Sequence, residues 1–376
     1  MTTSRHAEIV GAGIAGLSTA AALARSGWSV RVHERGPEVR AVGAGIYVYE
    51  NGLRVLETLG AVDDAIAGAS IAQKRETRSG TNALLSVHNW GATGRVYCVT
   101  RQRLVDALAA AARKAGAEIV TSSIGTGATP DGTVTFETGE TAKADLVVAA
   151  DGVNSRLRDG TDLLEKRRAM PDGAIRVQIE KTADERAAGD TGTTIENWSG
   201  TRRVLITPCS DTDIYLALTM LDSDTVAKAV PIDIAAWTGW FPHLKSMFER
   251  IGDAGRYDRF EYLRLKKWST GRLAFLGDAA HAMPPNIGQG GGCAMMNGLA
   301  LATHLSGMRD TIAGLAAWET RERPITEHTQ RVSLMLGKPT TWPAPLQKGF
   351  HSLVGKSRWM GEMRTRTARH IPTGTA

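Results

Sequence analysis

The sequence predicts an α/β protein: a β-α-β unit at the N-terminus, completed later in the chain by two further buried strands, with a β-rich insertion and a helical C-terminal segment. Three observations predict it. A short apolar strand, Ala7 to Val10, runs through the turn Gly11-Ala12-Gly13-Ile14-Ala15-Gly16 into an Ala/Leu-rich helix ending near Arg25, and a second strand follows from Ser29 to Glu34. Two more apolar strands, Leu146 to Ala150 and Leu273 to Gly277, each open into a glycine-bearing turn. Between those two the pattern from about Met170 to Leu265 is strand-like, most clearly in Arg203–Pro208 and Ile214–Met220.

The remaining elements follow in order. Gly27 closes the first helix as its C-terminal cap. Arg101 to Ala115 reads as a helix with Leu104, Val105, Leu108 and Ala112 on one face. Glu118 to Glu137 reads as short strands joined by the turn Pro130-Asp131-Gly132. From Trp318 onward the chain is helical and polar and ends in a flexible tail. Trp240, Trp268 and Trp318 are expected in the core or between lobes, and Met295-Met296 in helix packing.

Composition narrows the function classes. The 376 residues are 42% apolar and 22% charged, which suits a globular protein with core enough for two lobes. The net charge of +6 is dispersed, dense only from Lys356 to His370. No nucleic-acid motif accompanies it, so anionic small ligands and a solvated basic tail are expected. Cys98, Cys209 and Cys293 are far apart and form no CxxC, which argues against a disulfide framework and a zinc site. The first strand follows the N-terminus so closely that no leader is expected, and no window is apolar enough to span a membrane. A cytoplasmic monomer or homodimer, acting on small molecules, is the resulting expectation.

The first glycine turn has a mechanism. Gly11 makes the tight bend, Gly13 lets backbone approach a pyrophosphate with Ala15 beside it, and Gly16 lets helix and strand pack closely. The helix N-terminus offers free N–H groups to phosphate. Glu34, followed by Arg35, ends the second strand where a carboxylate accepts from ribose hydroxyls. It would repel a 2′-phosphate, so the ligand is FAD or NAD rather than NADP. Two further motifs follow buried strands: Asp151-Gly152-Val153-Asn154-Ser155-Arg156-Leu157-Arg158, and Gly277-Asp278-Ala279-Ala280-His281 with Pro285 and Gly288-Gln289-Gly290-Gly291-Gly292. In the last, glycine backbone can meet a ring system and Asp278 can accept from a hydroxyl. His281 is expected to cap or pack.

In this order and spacing the three motifs resemble the single-component FAD-dependent aromatic hydroxylases. The resemblance implies a Rossmann-like FAD-binding domain (1–70, 95–169 and 266–325), an inserted β-rich substrate domain (71–94 and 170–265) and a C-terminal helical segment with tail (326–376). It implies non-covalent FAD, with NADH or NADPH as transient co-substrate. FAD would be held by Gly11, Gly13, Ala15, Gly16, Glu34, Arg35, Gly45, Arg101, Asp151, Gly152, Arg158, Gly277, Asp278, Pro285, Gly288, Gly290 and Gly291. The reaction implied is oxygenation of a small hydroxylated aromatic or N-heteroaromatic carboxylate through a flavin C4a-hydroperoxide, with no metal.

The stretches Gly43-Ala44-Gly45-Ile46-Tyr47, Asn51–Glu57 and Gly290–Asn297 are most similar to the hydroxypyridine-carboxylate branch of that family, where oxygenation opens the ring. By that resemblance Arg203 clamps a carboxylate or phenolate, Tyr215 orients the ring, and Tyr47, Arg176 and Pro285 adjoin the site. Arg75 stands where that branch carries a pocket tyrosine, with Arg78 close by. Hydroxylation without ring opening and tailoring of a larger natural product are the alternatives.

Overall fold

The computed structural model describes residues 5–376 except 42, 344, 345, 348 and 351–356. Lys356, the start of the dense basic stretch, lies outside the described residues. The architecture is α/β as expected, with a long helix, Thr311–Gly337, near the C-terminus.

The first sheet has six strands in the order Ser269–Thr270, Leu273–Phe275, Leu146–Ala149, His6–Val10, Ser29–His33, Glu118–Val120, and all but the first pair run parallel. Leu146 to Ala149 are wholly buried, as a parallel strand covered on both faces must be. On one side lies the helix Ile14–Arg25, packed against Gly290–Ser306. That approach is close because Gly298 faces Ser18 and Thr19: a Cβ there would come within 2.6 Å of the Thr19 hydroxyl.

The second sheet has seven strands: Arg256–Leu265, Leu164–Glu180, Asp213–Leu221, Arg202–Pro208, Thr193–Ser199, Lys74–Ser79, Leu84–Asn89. Strand alternation divides its faces. Val204, Ile206, Leu216 and Leu218 enter a core with Trp237, Phe241 and Phe248. Their neighbours Arg203, Leu205, Tyr215, Ala217 and Thr219 face the other way, toward a cavity between the sheets. Cross-strand register places Arg203 opposite Thr219 and Trp198, and Arg75 beside Thr194.

Three readings need correction. The segment 222–255 is not strand-like: it holds helices Ile234–Thr238 and Lys245–Glu249, whose apolar side chains cover the sheet's outer face. Trp240 is 39% exposed, with the Arg202 guanidinium against its ring, whereas Trp268 and Trp318 are buried and pack on each other. The C-terminal tail is not loose. After the helix Arg358–Thr365, Thr367 and Ala368 are buried, Thr367 shares a hydrogen bond with Thr329, and the Thr373 hydroxyl donates to Glu322 at 2.6 Å. Polar composition suggested a solvated tail, but its small Thr and Ala side chains fit onto the long helix and satisfy that helix's buried polar groups.

Candidate active site

A cavity of about 560 Å³ runs from the Gly13 turn to Arg203 and is lined by both sheets. Its first end lies beyond the C-terminal ends of the parallel strands, where open α/β sheets bind ligands. Gly11 has φ +106°, and a Cβ at that position would strike Ala150. A Cβ at Gly16 would strike the Gly11 carbonyl. At Gly13 and Gly290 nothing lies within 4 Å of a Cβ, yet both line the cavity. Packing therefore explains two of these glycines, and the other two leave room at the cavity wall for a ligand.

The Glu34 carboxylate is fixed by the Ala12 and Gly36 N–H groups, at 3.0 and 2.9 Å. It is thus held beside the glycine turn. Arg35 is exposed, and Arg40 is the arginine that lines the cavity here. Gly152 lines it with φ +86°. Asp151 is held at the turn below, burial pushing its carboxyl up while Ser155 opposes the shift. Arg158 is fully buried, donating to the Val153 carbonyl at 2.9 Å and the Ala279 carbonyl at 3.4 Å. It ties the second motif to the third.

At the ring side, Gly277, Asp278, Pro285, Gly288, Gly290 and Gly291 all line the cavity, with Ala15 and Gly45 across from them. Gly288 has φ +63° and its N–H donates to Pro285. Gly45 is glycine because the Tyr215 ring lies 2.6–2.7 Å from where its Cβ would be. Burial pushes the Asp278 carboxyl up, and Arg101 and Arg176 pull it back. His281 is buried against Trp268, its Nε2 beside the Asn297 amide at 3.0 Å, and burial drops its pKa to about 4. It packs, as expected, and stays neutral.

These residues fit FAD: an acid for the ribose, a glycine turn for the pyrophosphate, an inward carboxylate for the ribityl chain and a glycine-walled slot for the ring. Asp278→Ala is expected to weaken FAD binding on the order of 10- to 100-fold, the worth of a charge-assisted hydrogen bond, as read from flavin fluorescence on release.

The far end carries the residues assigned to substrate. The Tyr47 hydroxyl sits between Thr207 at 2.5 Å and Thr194 at 3.2 Å, and burial keeps it protonated by pushing its pKa well up. Tyr215 is buried beside Arg176, whose guanidinium faces Asp258 at 3.8 Å and the Phe260 ring. Arg203 donates to Asn286 Oδ1 at 2.9 Å and lies 3.7 Å from Glu196 and 3.8 Å from Asp172. Glu196 also meets Arg75 at 3.2 Å. Sequence reasoning missed Glu196, Asp172, Asn286 and Trp90. The alternation that turns Arg203 inward also turns Glu196 inward, so that acid was within reach of the pattern. Asn286 and Trp90 carried no such signal. Among the described residues no group of His, Cys, Asp or Glu could hold a metal ion.

Comparison with known proteins agrees with this layout. The FAD binding domain family matches residues 5–331. The 2-heptyl-3-hydroxy-4(1H)-quinolone synthase of Mycobacteroides abscessus is 42% identical over 360 residues, 95% of this chain and 96% of the relative. The 6-hydroxynicotinate 3-monooxygenase of Bordetella bronchiseptica is 27% identical over 347 residues, 86% of this chain and 89% of that one. Among solved structures, the tetrameric form of 2-methyl-3-hydroxypyridine-5-carboxylic acid oxygenase is 36% identical, with TM-score 0.89, covering 100% of this chain and 98% of that one. No described helix is long and apolar enough to cross a membrane. With the cradle, the motifs and these relatives in agreement, the chain belongs to the FAD binding domain family and is an FAD-dependent aromatic-ring monooxygenase.

Proposed function

We propose that the chain hydroxylates an uncharged, electron-rich N-heteroaromatic ring of the 4-quinolone type, at the carbon beside the ring oxo group and without opening the ring. The observation that carries this is the state of Arg203. Its guanidinium is already bonded to Asn286 and flanked by Asp172 and Glu196, and Glu196 also serves Arg75. Two cations facing two carboxylates leave little net attraction for a substrate carboxylate, because buried charge is tolerated only when compensated. Trp90, Tyr47, Tyr49, Leu205, Ala217 and Met283 line the same end, which suits a flat apolar ring. The 42% identical relative is named for a hydroxyquinolone product.

FAD, when bound, supplies the redox and oxygen chemistry, with NADH or NADPH as electron source. The chain's own residues orient and seal. Tyr47, held neutral by Thr194 and Thr207, and Tyr215, over Gly45, fix the ring plane. Tyr49, Trp90 and the docked C-terminal segment exclude water from that end.

The test is NAD(P)H consumption by the holoenzyme with 2-heptyl-4(1H)-quinolone, 6-hydroxynicotinate or 2-methyl-3-hydroxypyridine-5-carboxylate, followed by product mass. The quinolone is expected to accelerate oxidation at least about tenfold and to gain one oxygen atom, a preference of roughly one well-fitted polar or apolar contact. Coupling only to the pyridine acid, with two oxygens gained and ring absorbance lost, would establish the second reading, ring-opening oxygenation. That reading is favoured by the 36% identity to the pyridine-acid oxygenase.

A further inference from the structure

A second, smaller cavity of about 300 Å³ adjoins the first, and three charged side chains line both: Arg176, Arg256 and Asp258. Its outer rim, Gly43, Ala254 and Gly255, is exposed, so it opens at the surface. Its inner end leads to the ring side of the cradle, since Gly43 and Ala44 run directly into Gly45 on the main cavity wall.

Glycines shape the rim. Gly43 has φ +103° and Gly255 φ +108°, and a Cβ at Gly255 would come within 2.8 Å of the Ile175 side chain. The Gly255 bend starts the strand Arg256–Leu265, and register makes Arg256 the direct cross-strand partner of Arg176. Like charges placed directly opposite are destabilising. Asp258 offsets part of this. One of its carboxylate oxygens lies 2.6 Å from the Arg256 guanidinium and the other 3.8 Å from that of Arg176. Two guanidiniums thus share one carboxylate at the boundary between the two cavities. Neighbouring charges on the strand are satisfied elsewhere, Arg259 by Asp222 at 3.0 Å and Glu261 by Arg167 at 3.0 Å. A surplus of guanidinium at a cavity mouth selects phosphate, which its forked N–H groups meet bidentately. The single GxGxxG turn of the chain is assigned to the FAD pyrophosphate, so a second dinucleotide needs phosphate contacts of its own.

We propose that this vestibule is the docking site of the nicotinamide co-substrate, with Arg256 and Arg176 holding its pyrophosphate and the nicotinamide reaching inward past Gly45. This rests on FAD and NAD(P)H serving as above, and not on which aromatic ring is oxygenated. Asp258 holds the two guanidiniums in place between turnovers and gives them up to the phosphates. A site partly neutralised by its own carboxylate binds loosely, which suits a co-substrate that gives one hydride to FAD and leaves as NAD(P)+.

The FAD-loaded enzyme is titrated with tetrahydro-NAD, a reduced analogue that gives no hydride, following the flavin absorbance. In Arg256→Gln its Kd should rise about tenfold, as expected for loss of one charge-assisted contact. In Asp258→Asn it should fall about threefold, because the competing carboxylate is gone. Both changes break the same ion pair, so a purely structural role would move both in one direction. FAD retention should not change in either. Anaerobic flavin reduction by NADH should follow the same order of affinity. Reduction by 1-benzyl-1,4-dihydronicotinamide, which has no phosphate, should be equal in all three proteins. A Kd in Arg256→Gln within about twofold of the wild type, or weaker binding in both variants, overturns the proposal. So does an equal loss of 6-hydroxynicotinate binding in Arg256→Gln, which would make the pair a carboxylate site. A wild type whose flavin neither NADH nor NADPH reduces overturns the co-substrate reading itself, and the proposal with it.

Discussion

Gly16→Ala is expected to leave the chain without FAD and measurably less stable, while Gly13→Ala keeps its stability and loses only FAD affinity. The two glycines sit three residues apart in one turn but do different things. A Cβ at Gly16 would overlap the Gly11 carbonyl, so the first helix would have to move off the strand that precedes it. Overpacking against fixed backbone costs about 1–3 kcal/mol, and more where nothing can yield. In a chain of this size that lowers Tm by several degrees. A Cβ at Gly13 meets nothing within 4 Å and would project into the cavity. The apoprotein Tm should then match wild type, while the FAD Kd rises at least about tenfold because the backbone can no longer approach the pyrophosphate. Thermal melts of apoprotein and a flavin titration of both variants check this. Equal melting of the two apoproteins would show that the turn is not packed as described.

Arg203→Met should be the most damaging change at the substrate end. It removes the cation between Asp172 and Glu196, which strands the buried Asp172 carboxylate and leaves Glu196 to Arg75. Breaking a buried pair in this way costs roughly 3–5 kcal/mol, less whatever a carboxyl recovers by taking up a proton. The sign of the pH dependence follows. Burial pushes the Asp172 carboxyl above its ordinary value, and Arg203 pulls it back. Without Arg203 the folded pKa moves further up. A carboxyl whose folded pKa exceeds its unfolded value adds no penalty at low pH and an increasing one as pH rises through the folded pKa. The Tm gap between wild type and variant should therefore be larger at about pH 8 than at about pH 5. Arg203→Lys, which keeps a point charge, should fall between. A gap that does not change with pH would mean that Arg203 does not set the charge state of that pair.

The cofactor half was legible in the sequence because its requirements are local. Gly11, Gly13 and Gly16 are spaced by the geometry of one strand-turn-helix, and Glu34 is placed by the length of one helix and one strand. Asp278 and Gly288–Gly291 likewise follow a buried strand; Gly13, Asp278, Gly288, Gly290 and Gly291 line the cavity, while Gly11 and Gly16 pack the turn. Arg35 shows the limit of that reasoning. It adjoins the acid in sequence, but it lies in the bend after the strand Ser29–His33 and is exposed, and Arg40 farther along the loop lines the cavity instead. Arg158 matched its motif yet lies beneath it, fully buried, where only three-dimensional packing assigns its partners.

By itself the sequence determined the fold class and a dinucleotide cradle, since backbone conformation and short-range spacing encode both, and the resemblance of its three motifs to the aromatic hydroxylases pointed to FAD. Only the tertiary structure decided the substrate end. Arg75, Asp172, Glu196, Arg203 and Asn286 come from separate segments spread over most of the chain. Whether Arg203 meets a free substrate carboxylate or two carboxylates of its own chain depends on sheet register and on which strand face turns inward. Whether the basic tail is solvated or docked depends on how its small side chains fit a distant helix. Long-range contacts of that kind leave no periodic trace in the segments that make them, because each segment holds only one member of every pair.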